Sequence, residues 1–234
     1  MGQNVDSTKI SIIIPTLNEA ANIKQAIATT QPSTNIEVIV VDAGSQDYTV
    51  AIADSLGIKV ILSTPGRAVQ MNAGAAAANG EILLFLHADT HLPLGFDDMI
   101  RTSLQQPRIV AGAFTLQIAA PLLALRLVEW GVKWRSHFLQ IPYGDQAIFI
   151  TKAIFQEMGG FPELPIMEDF ELIRRLKRIG KIAILPTPVV TSARRWLKKG
   201  IFQTTLINQI VIIGYLFGVP PQRLRNWYRQ IKIM

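Results

Sequence analysis

The chain has 234 residues, 49% hydrophobic and 17% charged, so it is long enough to bury a core and is not a disordered polypeptide. It contains no cysteine, which excludes a disulfide framework, a zinc–thiolate site and thiol chemistry. The net charge is +6, and much of the excess lies beyond residue 173. This balance suits phosphates, an anionic membrane face or nucleic acid as partners, or a solvated basic surface with no partner.

Strand and helix patterns alternate through the first half of the chain. Continuous apolar runs, typical of strands buried on both faces of a parallel sheet, occupy residues 10–14, 36–41, 60–62 and 82–86. Helical patterns lie between these runs: a face with Ile23, Ala26 and Ile27, a face with Val50, Ala53 and Leu56 that ends at Gly57, and an Ala-rich stretch over residues 68–78. The alternation predicts an α/β fold with right-handed crossovers.

The second half is more mixed. Residues 109–118 and 147–151 have strand patterns, and residues 121–138 form a helical, aromatic-rich stretch. A short helix is predicted to end at Gly159–Gly160. Residues 168–179 predict an amphipathic helix with acids at its start and bases toward its end, as the helix dipole favours.

Polar residues follow three of the predicted strands. They occupy residues 15–19, 42–47 and 87–89, and acidic residues recur among them. In open α/β sheets, ligands bind beyond the carboxyl ends of the strands. We therefore expect these three clusters to converge on one edge of the sheet, where core packing does not require acids.

Four motifs occur in a fixed order. They are Ile-Pro-Thr-Leu-Asn-Glu at 14–19, Val-Asp-Ala-Gly-Ser-Gln-Asp at 41–47, Phe-Leu-His-Ala-Asp at 85–89, and Gly-Gly-Phe at 159–161 followed by Met-Glu-Asp at 167–169. As an ordered set they resemble family-2 glycosyltransferases of the GT-A fold, over residues 9–196. The segments at 66–74 and 143–146 resemble a small bacterial subfamily.

The resemblance implies a domain organisation and a fold class. The fold is α/β, the GT-A (Rossmann-like) type, with a mostly parallel central sheet flanked by helices and a C-terminal helical segment. Residues 1–8 would be a flexible, polar lead-in without a signal core, 9–196 the glycosyltransferase domain, and 197–234 the C-terminal apolar and basic helices.

The resemblance also implies a nucleotide-sugar donor, with UDP as the family default. The residues assigned to it are Pro15, Asn18, Glu19, Asp42, Gly44, Arg67, Ala88 and Asp89. Asp42 would accept a hydrogen bond from the base, or else cap the strand end. Arg67 would contact phosphate or base, or else form a surface salt bridge, although the helix dipole disfavours a cation at that helix start.

Asp89 corresponds to the last acid of the family's Asp-X-Asp metal motif, and its alternative is an Asx-turn. A divalent cation with oxygen ligands would stabilise the leaving diphosphate. His87 stands where the first acid usually is. An imidazole favours Mn²⁺ over Mg²⁺ as this cation, unless His87 instead contacts ribose or packs.

By resemblance, Asp169 is the general base that takes the acceptor proton and Glu168 supports it; the alternative is that both only complement a helix dipole. One base and direct attack on the anomeric carbon imply inversion. A further set is assigned to the acceptor or the diphosphate, or is in part an ordinary basic loop: Asp145, Arg194, Arg195 and Trp196.

Residues 201–219 carry no charge and approach the lower length of a membrane span. Polar residues and glycines interrupt them, so packing on the domain or lying in a membrane interface is favoured over spanning. Nearby bases with Trp227 and Tyr228 suit an anionic interface. We therefore expect a cytoplasmic protein with peripheral contact to the cytoplasmic membrane face, and a lipid or small molecule as hydroxyl acceptor.

Three other functions compete. A sugar-phosphate nucleotidyltransferase usually has a Gly-rich basic loop after its first strand, where this chain has Pro-Thr-Leu-Asn-Glu. A non-catalytic nucleotide-sugar-binding protein would have lost carboxylates, yet Asp42, Asp89 and Asp169 are all present. Nucleic-acid binding rests on charge alone, with no recognised module, so no nucleic-acid partner is expected.

Overall fold

The computed structural model describes residues 8–31 and 33–230, so residues 1–7 of the predicted lead-in lie outside the described residues. The strands in these ranges are β1 (Ile10–Thr16), β2 (Ile36–Asp42), β3 (Lys59–Leu62), β4 (Ile82–Phe85), β5 (Thr90–His91), β6 (Ile109–Ala119), β7 (Ile148–Thr151) and β8 (Lys181–Ser192). The helices are α1 (Ile23–Ala28), α2 (Thr49–Ser55), α3 (Arg67–Ala77), α4 (Phe96–Leu104), α5 (Leu123–Leu139), α6 (Lys152–Glu157), α7 (Glu168–Leu176), α8 (Arg194–Lys199), α9 (Ile201–Leu216) and α10 (Pro221–Gln230). A single 3₁₀ turn covers Gly144–Gln146.

The strands form one mixed sheet in the order β3-β2-β1-β4-β7-β6-β8-β5. The first four strands of the chain pair in parallel, as their continuous apolar runs predict. Strand β7 lies antiparallel between β4 and β6, β8 runs parallel to β6, and β5 is antiparallel to β8. The predicted α/β fold with a flanked central sheet is confirmed.

Both faces of the sheet are buried. Along β1, Ile12 and Ile14 belong to one core cluster, while Ile13 points into the other. Helices α1, α2, α4 and α5 contribute to the first cluster, and α3, α6 and α7 to the second. Because successive side chains of a strand point to opposite faces, an uninterrupted isoleucine run fills both layers.

A third, smaller cluster joins α7 to the two C-terminal helices. Phe170 packs with Ile207 and Val211 of α9 and with Leu224 of α10. The hydroxyl of Tyr215 on α9 also donates to Glu171 of α7 at 2.9 Å. The C-terminal segment therefore packs in part on the sheet domain, as one of the three alternatives for it predicts.

The structure bears directly on two further expectations for this segment. Within the described residues, no helix combines the length and apolarity needed to cross a bilayer. The predicted boundary after Trp196 falls inside α8, so the chain passes from the sheet domain to the C-terminal helices without a linker.

One helix face is corrected. Ala53 of α2 is fully buried, but Leu56 is 41% exposed and lies just beyond the end of the helix. Thr49 takes a buried position on this helix instead. Gly57 has a φ of +69°, in the left-handed region that favours glycine, which agrees with its predicted place at the helix end.

The parallel pairing places the motif residues at one edge. Thr16 is opposite Asp42 in the register of β1 and β2. Gln70 of α3 reaches the same place, where its side-chain amide donates to the carbonyls of Thr16 and Val41 at 2.9 and 2.8 Å. The helix therefore fixes both strand ends by hydrogen bonds as well as by packing.

Candidate active site

The turn after β2 is organised around the buried carboxylate of Asp42. Its Oδ1 accepts from the backbone N–H groups of Gly44 and Ser45 at 2.9 and 2.8 Å. Its Oδ2 accepts from the hydroxyls of Thr16 and Ser45 at 2.9 and 2.5 Å. Gly44 has a φ of +88°, a conformation in which a side chain would be strained.

Burial acts to raise the pKa of Asp42, but the hydrogen bonds from Ser45, Thr16 and Gly44 outweigh it and hold the pKa below its ordinary value. A carboxylate has about four lone-pair sites, and here four donors occupy them. A contact to a nucleotide base would have to share or replace one of these donors, so the base contact stays a prediction.

The loop after β1 is clamped to the loop after β2. The N–H of Asn18 donates to the hydroxyl of Ser45, and the side-chain oxygen of Asn18 accepts from the N–H of Gln46, both at 2.8 Å. The N–H of Glu19 donates to the hydroxyl of Thr49 at 2.8 Å. The loop that follows Pro15 is therefore held in one conformation against the start of α2.

Arg194, the first residue of α8, bridges two acids at this edge. Its guanidinium contacts both carboxylate oxygens of Glu19 at 2.9 and 3.1 Å and lies 3.6 Å from Oδ2 of Asp89. Burial raises the pKa of Asp89, the Glu19 charge raises it further, and Arg194 lowers it in part. Two predicted donor residues and one predicted diphosphate residue thus meet in one ionic cluster.

His87 follows β4 and presents an unpaired nitrogen. Its Nε2 is buried and has no hydrogen-bond partner among the described residues. Burial, with the charges of Arg67 and Arg195, lowers the pKa of His87 to about 3. At neutral pH the imidazole is therefore uncharged, as a metal ligand must be.

Asp169, the predicted base, meets His87 at Gly144. Its Oδ2 accepts from the N–H of Gly144 at 2.6 Å, and its Oδ1 accepts from its neighbour Phe170 at 2.7 Å. A Cβ added to Gly144 would lie 3.1 Å from His87 Nε2 and 3.2 Å from Asp169 Oδ2. Only the missing side chain lets the three groups approach so closely.

Glu168 lies beside Asp169 and is buried. Its Oε1 is 3.5 Å from Nη1 of Arg67, whose side chain is about half exposed. Burial raises the pKa of Glu168, as does the charge of Asp169, and Arg67 opposes them. Arg67 thus forms a salt bridge across the site and still presents an open side to solvent.

Asp145 and Arg195 add two further charged groups, both half-buried. Oδ1 of Asp145 is buried without a hydrogen-bond partner in the described part of the chain. Burial raises the pKa of Asp145, with Arg135 opposing and Asp169 adding to the shift. Burial and the charge of Arg67 lower the pKa of Arg195, whose guanidinium stacks on Tyr228 at 4.3 Å.

Two predicted contacts are restricted by burial. Trp196 is only 8% exposed and packs in the main core cluster, so little of its ring is open to an acceptor or a diphosphate, and the contact assigned to it stays a prediction. The side chain of Ala88 is also in this core, so it can meet a donor only through its backbone.

Sequence reasoning missed the residue that orders the 143–146 turn. The side-chain oxygen of Gln146 accepts from Arg135, from Ser136 and from the N–H of Tyr143, at 3.0, 3.0 and 3.1 Å. Its amide donates to the carbonyl of Phe114 at 2.8 Å. The available signal for Gln146 is its place in the segment 143–146 (Tyr-Gly-Asp-Gln), which also contains Asp145.

Asn72 of α3 was also missed. Its side chain donates to the carbonyl of Phe161 and accepts from the N–H of the same residue, at 2.8 and 2.9 Å. These two bonds fix the glycine turn that leads toward α7 and Asp169. A polar residue within an Ala-rich helix, in the quoted 66–74 motif, was the available signal.

A divalent cation fits this edge of the sheet only if protein side chains and the phosphates of a bound substrate hold it together. Within the described residues, no three His, Asp or Glu side chains are arranged to hold a metal by themselves. Asp89 offers a partly exposed carboxylate, and His87 offers an unpaired, uncharged nitrogen. Cations that serve phosphate substrates are often held by one or two side chains together with the phosphates. The residues present are compatible with that arrangement.

A cavity of about 530 Å³ lies elsewhere. It lies at the opposite end of β1 and β4, with Thr8, Gly80, Arg101 and Lys152 among its lining residues. None of the predicted site residues lines it. The candidate site is therefore defined by converging polar groups and not by cavity size.

The chain is similar to known glycosyltransferases. The model of a family described as glycosyl transferase family 2 matches residues 11–140. The chain is 26% identical over 200 residues to the probable glycosyltransferase YdaM of Bacillus subtilis, a match that covers 74% of this chain and 47% of that protein. This chain thus spans about half the length of that curated relative.

Two solved structures show a similar fold, each at 20% sequence identity. One is a mannosyltransferase from Pyrobaculum calidifontis in complex with GDP-Man and Mn²⁺, with a TM-score of 0.65 over 94% of this chain and 68% of that one. The other is glucosyl-3-phosphoglycerate synthase from Mycobacterium tuberculosis in complex with Mn²⁺, UDP and phosphoglyceric acid, with a TM-score of 0.61 over 82% and 75%. These likenesses confirm the GT-A fold.

Proposed function

Because this chain belongs to glycosyltransferase family 2, we propose that it transfers a sugar from a nucleotide-diphosphate sugar to an acceptor hydroxyl, with inversion at the anomeric carbon. The observation that carries the proposal is the meeting of Asp169, His87 and Gly144 within reach of the Arg67–Glu168 pair. A base and cationic groups are thereby held on one edge of the sheet, as group transfer from a diphosphate requires.

The donor's charge has a complementary surface. Three arginines shift the pKa values of His87, Asp89 or Asp145: Arg67, Arg194 and Arg195. These cations therefore lie around one space. We assign the diphosphate to that space and the base to the clamped loops after β1 and β2. UDP is the preferred nucleotide, and the GDP-Man and UDP complexes of the two similar structures make both nucleotides candidates to test.

In the transfer step, Asp169 removes the proton of the acceptor hydroxyl. The hydroxyl oxygen forms a bond to the anomeric carbon from the side opposite the diphosphate, and the bond from that carbon to the diphosphate oxygen breaks. The electron pair leaves with the diphosphate, and the proton remains on Asp169. The Gly144 N–H fixes the orientation of the carboxylate, which keeps lone pairs free for the hydroxyl.

A bound divalent cation would supply charge stabilisation to the leaving diphosphate. Asp89 would hold it, with His87 as a second candidate ligand, and Mn²⁺ is the preferred ion because an imidazole accompanies the carboxylate. The Mn²⁺ in both similar structures supports testing this ion first. Arg194 must share Asp89 with the cation, since its guanidinium lies 3.6 Å from that carboxylate.

The acceptor is proposed to enter beside the 143–146 turn, where Asp145 presents its unpaired oxygen. A hydroxyl of a small molecule or of a lipid-linked sugar fits the chemistry equally, because only the hydroxyl meets Asp169. The unsatisfied carboxyl oxygen of Asp145 gives this turn a group with which to bind a second hydroxyl.

Thermal unfolding with UDP-, GDP- and dTDP-sugars, each with and without Mn²⁺, tests the donor assignment. We expect a rise in Tm that requires both a donor and the ion, and that Asp89→Asn abolishes. Asp54→Asn, an exposed acid on α2, is the matched control and should keep the response. If no donor raises the Tm of the wild-type chain with or without the ion, the proposal is wrong.

A further inference from the structure

Helix α5 exposes an apolar row on the side away from the core. Leu123, Leu127, Trp130, Trp134 and Phe138 follow one another at intervals of three or four residues, which places them on one helix face. All five are exposed, from 49% for Trp134 to 85% for Leu123. The helix buries little else besides Leu125 and Ser136, so its apolar residues are mainly directed outward.

Helix α9 also exposes an apolar row. Phe202, Leu206, Ile210, Ile213 and Leu216 are exposed and recur at the same helical intervals. The opposite face is the buried one, and it packs through Thr204, Ile207, Val211 and Gly214. A helix of this pattern is anchored by one face and leaves its other apolar face without a partner among the described residues.

The two rows belong to neighbouring helices, since α5 and α9 are in contact. We call the ten residues of these rows the apolar face. Single exposed apolar residues are ordinary, but two exposed rows of five on helices in contact are a group large enough to mark an interaction surface. Trp130 and Trp134 lie within it and Trp227 of α10 is also exposed, so three of the four tryptophans of the chain are at the surface near these helices.

The C-terminal segment that carries half of the apolar face is basic. Residues 193–230 contain no Asp or Glu, and they contain seven basic residues: Arg194, Arg195, Lys198, Lys199, Arg223, Arg225 and Arg229. On α5, Lys133 and His137 are exposed beside the apolar row. The one acid of that helix, Glu129, is mostly buried and is paired with Arg126 at 2.9 Å.

We propose that the apolar face docks the protein on an anionic lipid surface, with α5 and α9 lying in the plane of the interface. Aromatic and aliphatic side chains between cations are the pattern of interfacial helices. Tryptophan is favoured at the headgroup level, and basic side chains are drawn to anionic headgroups. The sequence suggested interfacial contact for residues 201–219, with the nearby bases, Trp227 and Tyr228, and the structure adds the exposed row of α5.

A second copy of the chain fits this surface less well than a membrane does. A symmetric dimer through the apolar face would bring two sets of like charges together, since the C-terminal segment has no acid to pair with them. An anionic bilayer satisfies both the apolar rows and the surrounding cations.

Docking would place the candidate site beside the lipid surface. Arg135 of α5 stacks on Tyr143 at 3.4 Å and donates to Gln146 in the turn that contains Gly144. At the other side, α8 joins the Arg194 bridge to the start of α9. The docking inference itself depends on the apolar face and its charges, and not on the proposed transfer reaction.

The test is flotation of the full chain with vesicles of phosphatidylcholine alone or mixed with phosphatidylglycerol, read together with its oligomeric state by light scattering. We expect binding to the mixed vesicles that weakens with added salt. Leu123→Gln with Leu127→Gln should lower binding by at least about ten-fold, because two apolar side chains no longer leave water. Leu62→Gln with Leu94→Gln, two exposed leucines on other elements, should leave binding unchanged.

A pair of lysine variants completes the design. Lys198→Gln should weaken binding to mixed vesicles about five-fold, as expected for one cation near an anionic surface, whereas Lys24→Gln on α1 should have no effect. Absence of binding to mixed vesicles, or equal losses in the two leucine pairs, would overturn the proposal. If the wild type is instead a dimer that does not bind vesicles and that Leu123→Gln with Leu127→Gln converts to monomers, that result would assign the apolar face to a second copy of the chain. Donor-dependent thermal shifts are measured separately, so failure of docking does not affect the proposed function.

Discussion

Replacing Asp169 by Asn isolates the role of the proposed base. The substitution keeps the size of the side chain and removes its ability to accept a proton. The amide oxygen can keep the bond from Phe170, which is 2.7 Å from Oδ1 in the wild type. The amide nitrogen would then face the N–H of Gly144, which donates to Oδ2 at 2.6 Å in the wild type.

The structure gives two magnitudes for this variant. Two opposed donors replace one hydrogen bond to a charged group, which costs about 1–3 kcal/mol of stability. For a chain of this length each kcal/mol lowers Tm by about 2–4 °C. Loss of general-base catalysis reduces the rate by about 10²–10⁴-fold, or about 3–5 kcal/mol in the barrier.

The assay compares the release of nucleoside diphosphate at saturating donor and acceptor, well below the Tm of both proteins. Donor binding, followed by calorimetry with Mn²⁺, should be nearly unchanged, because the proposed role of Asp169 is toward the acceptor hydroxyl and not toward the nucleotide. A turnover within about three-fold of wild type would refute the assignment, since it falls below the smallest effect expected of a base.

Four other substitutions, two of them combined at one ion pair, test the site and the core that supports it. Gly144→Ala should lower kcat while the chain stays folded, because its Cβ would crowd Asp169 Oδ2 at 3.2 Å; kinetics and circular dichroism check this. Arg101→Met should cost about 3–5 kcal/mol in urea unfolding, because it leaves the buried Asp97 carboxylate, now 2.9 Å from the guanidinium, without its partner; adding Asp97→Leu should recover much of the loss. Burial raises the pKa of Glu37, but hydrogen bonds from Ser11 and Asn79 outweigh it and lower the pKa to about 2 from 4.5. The free energy of unfolding that Glu37 contributes is therefore complete above pH 4.5 and is lost as the pH falls toward 2. Glu37→Gln should remove about 1–2 kcal/mol of this free energy at pH 7, after allowance for solvent screening. In unfolding measurements at several pH values, the variant should lose less stability than the wild type between pH 4.5 and pH 2.

The first half of the fold could be predicted because β1 to β4 are mainly apolar runs between turn residues. Strand β8 was missed because Pro186 and Pro188 interrupt its pattern. The structure accommodates them where the register of β6 and β8 shifts after Phe114, so the prolines lie at an irregularity of the ladder. A pattern based on alternation or continuity does not anticipate such a shift.

The sequence indicated the carboxylates of the candidate site better than the groups that hydrogen-bond to them. Asp42, Asp89 and Asp169 all follow ordered motifs, and the parallel register of β1, β2 and β4 brings the first two to one edge. The contact between Asp169 and the backbone of Gly144 spans 25 residues and involves no side chain of Gly144, so residue types carry no sign of it. The burial of Trp196 was likewise decided by tertiary packing.

The turn built on Asp42 has a consequence for the kinetics of ligand capture. Its backbone N–H groups and hydroxyls are already ordered by the carboxylate, so a nucleotide that arrives there meets a rigid surface instead of a fluctuating loop. Such preorganisation lowers the entropy lost on association. Association at this end of the sheet should therefore follow a single, concentration-dependent phase, without a slow rearrangement of the loop after the encounter.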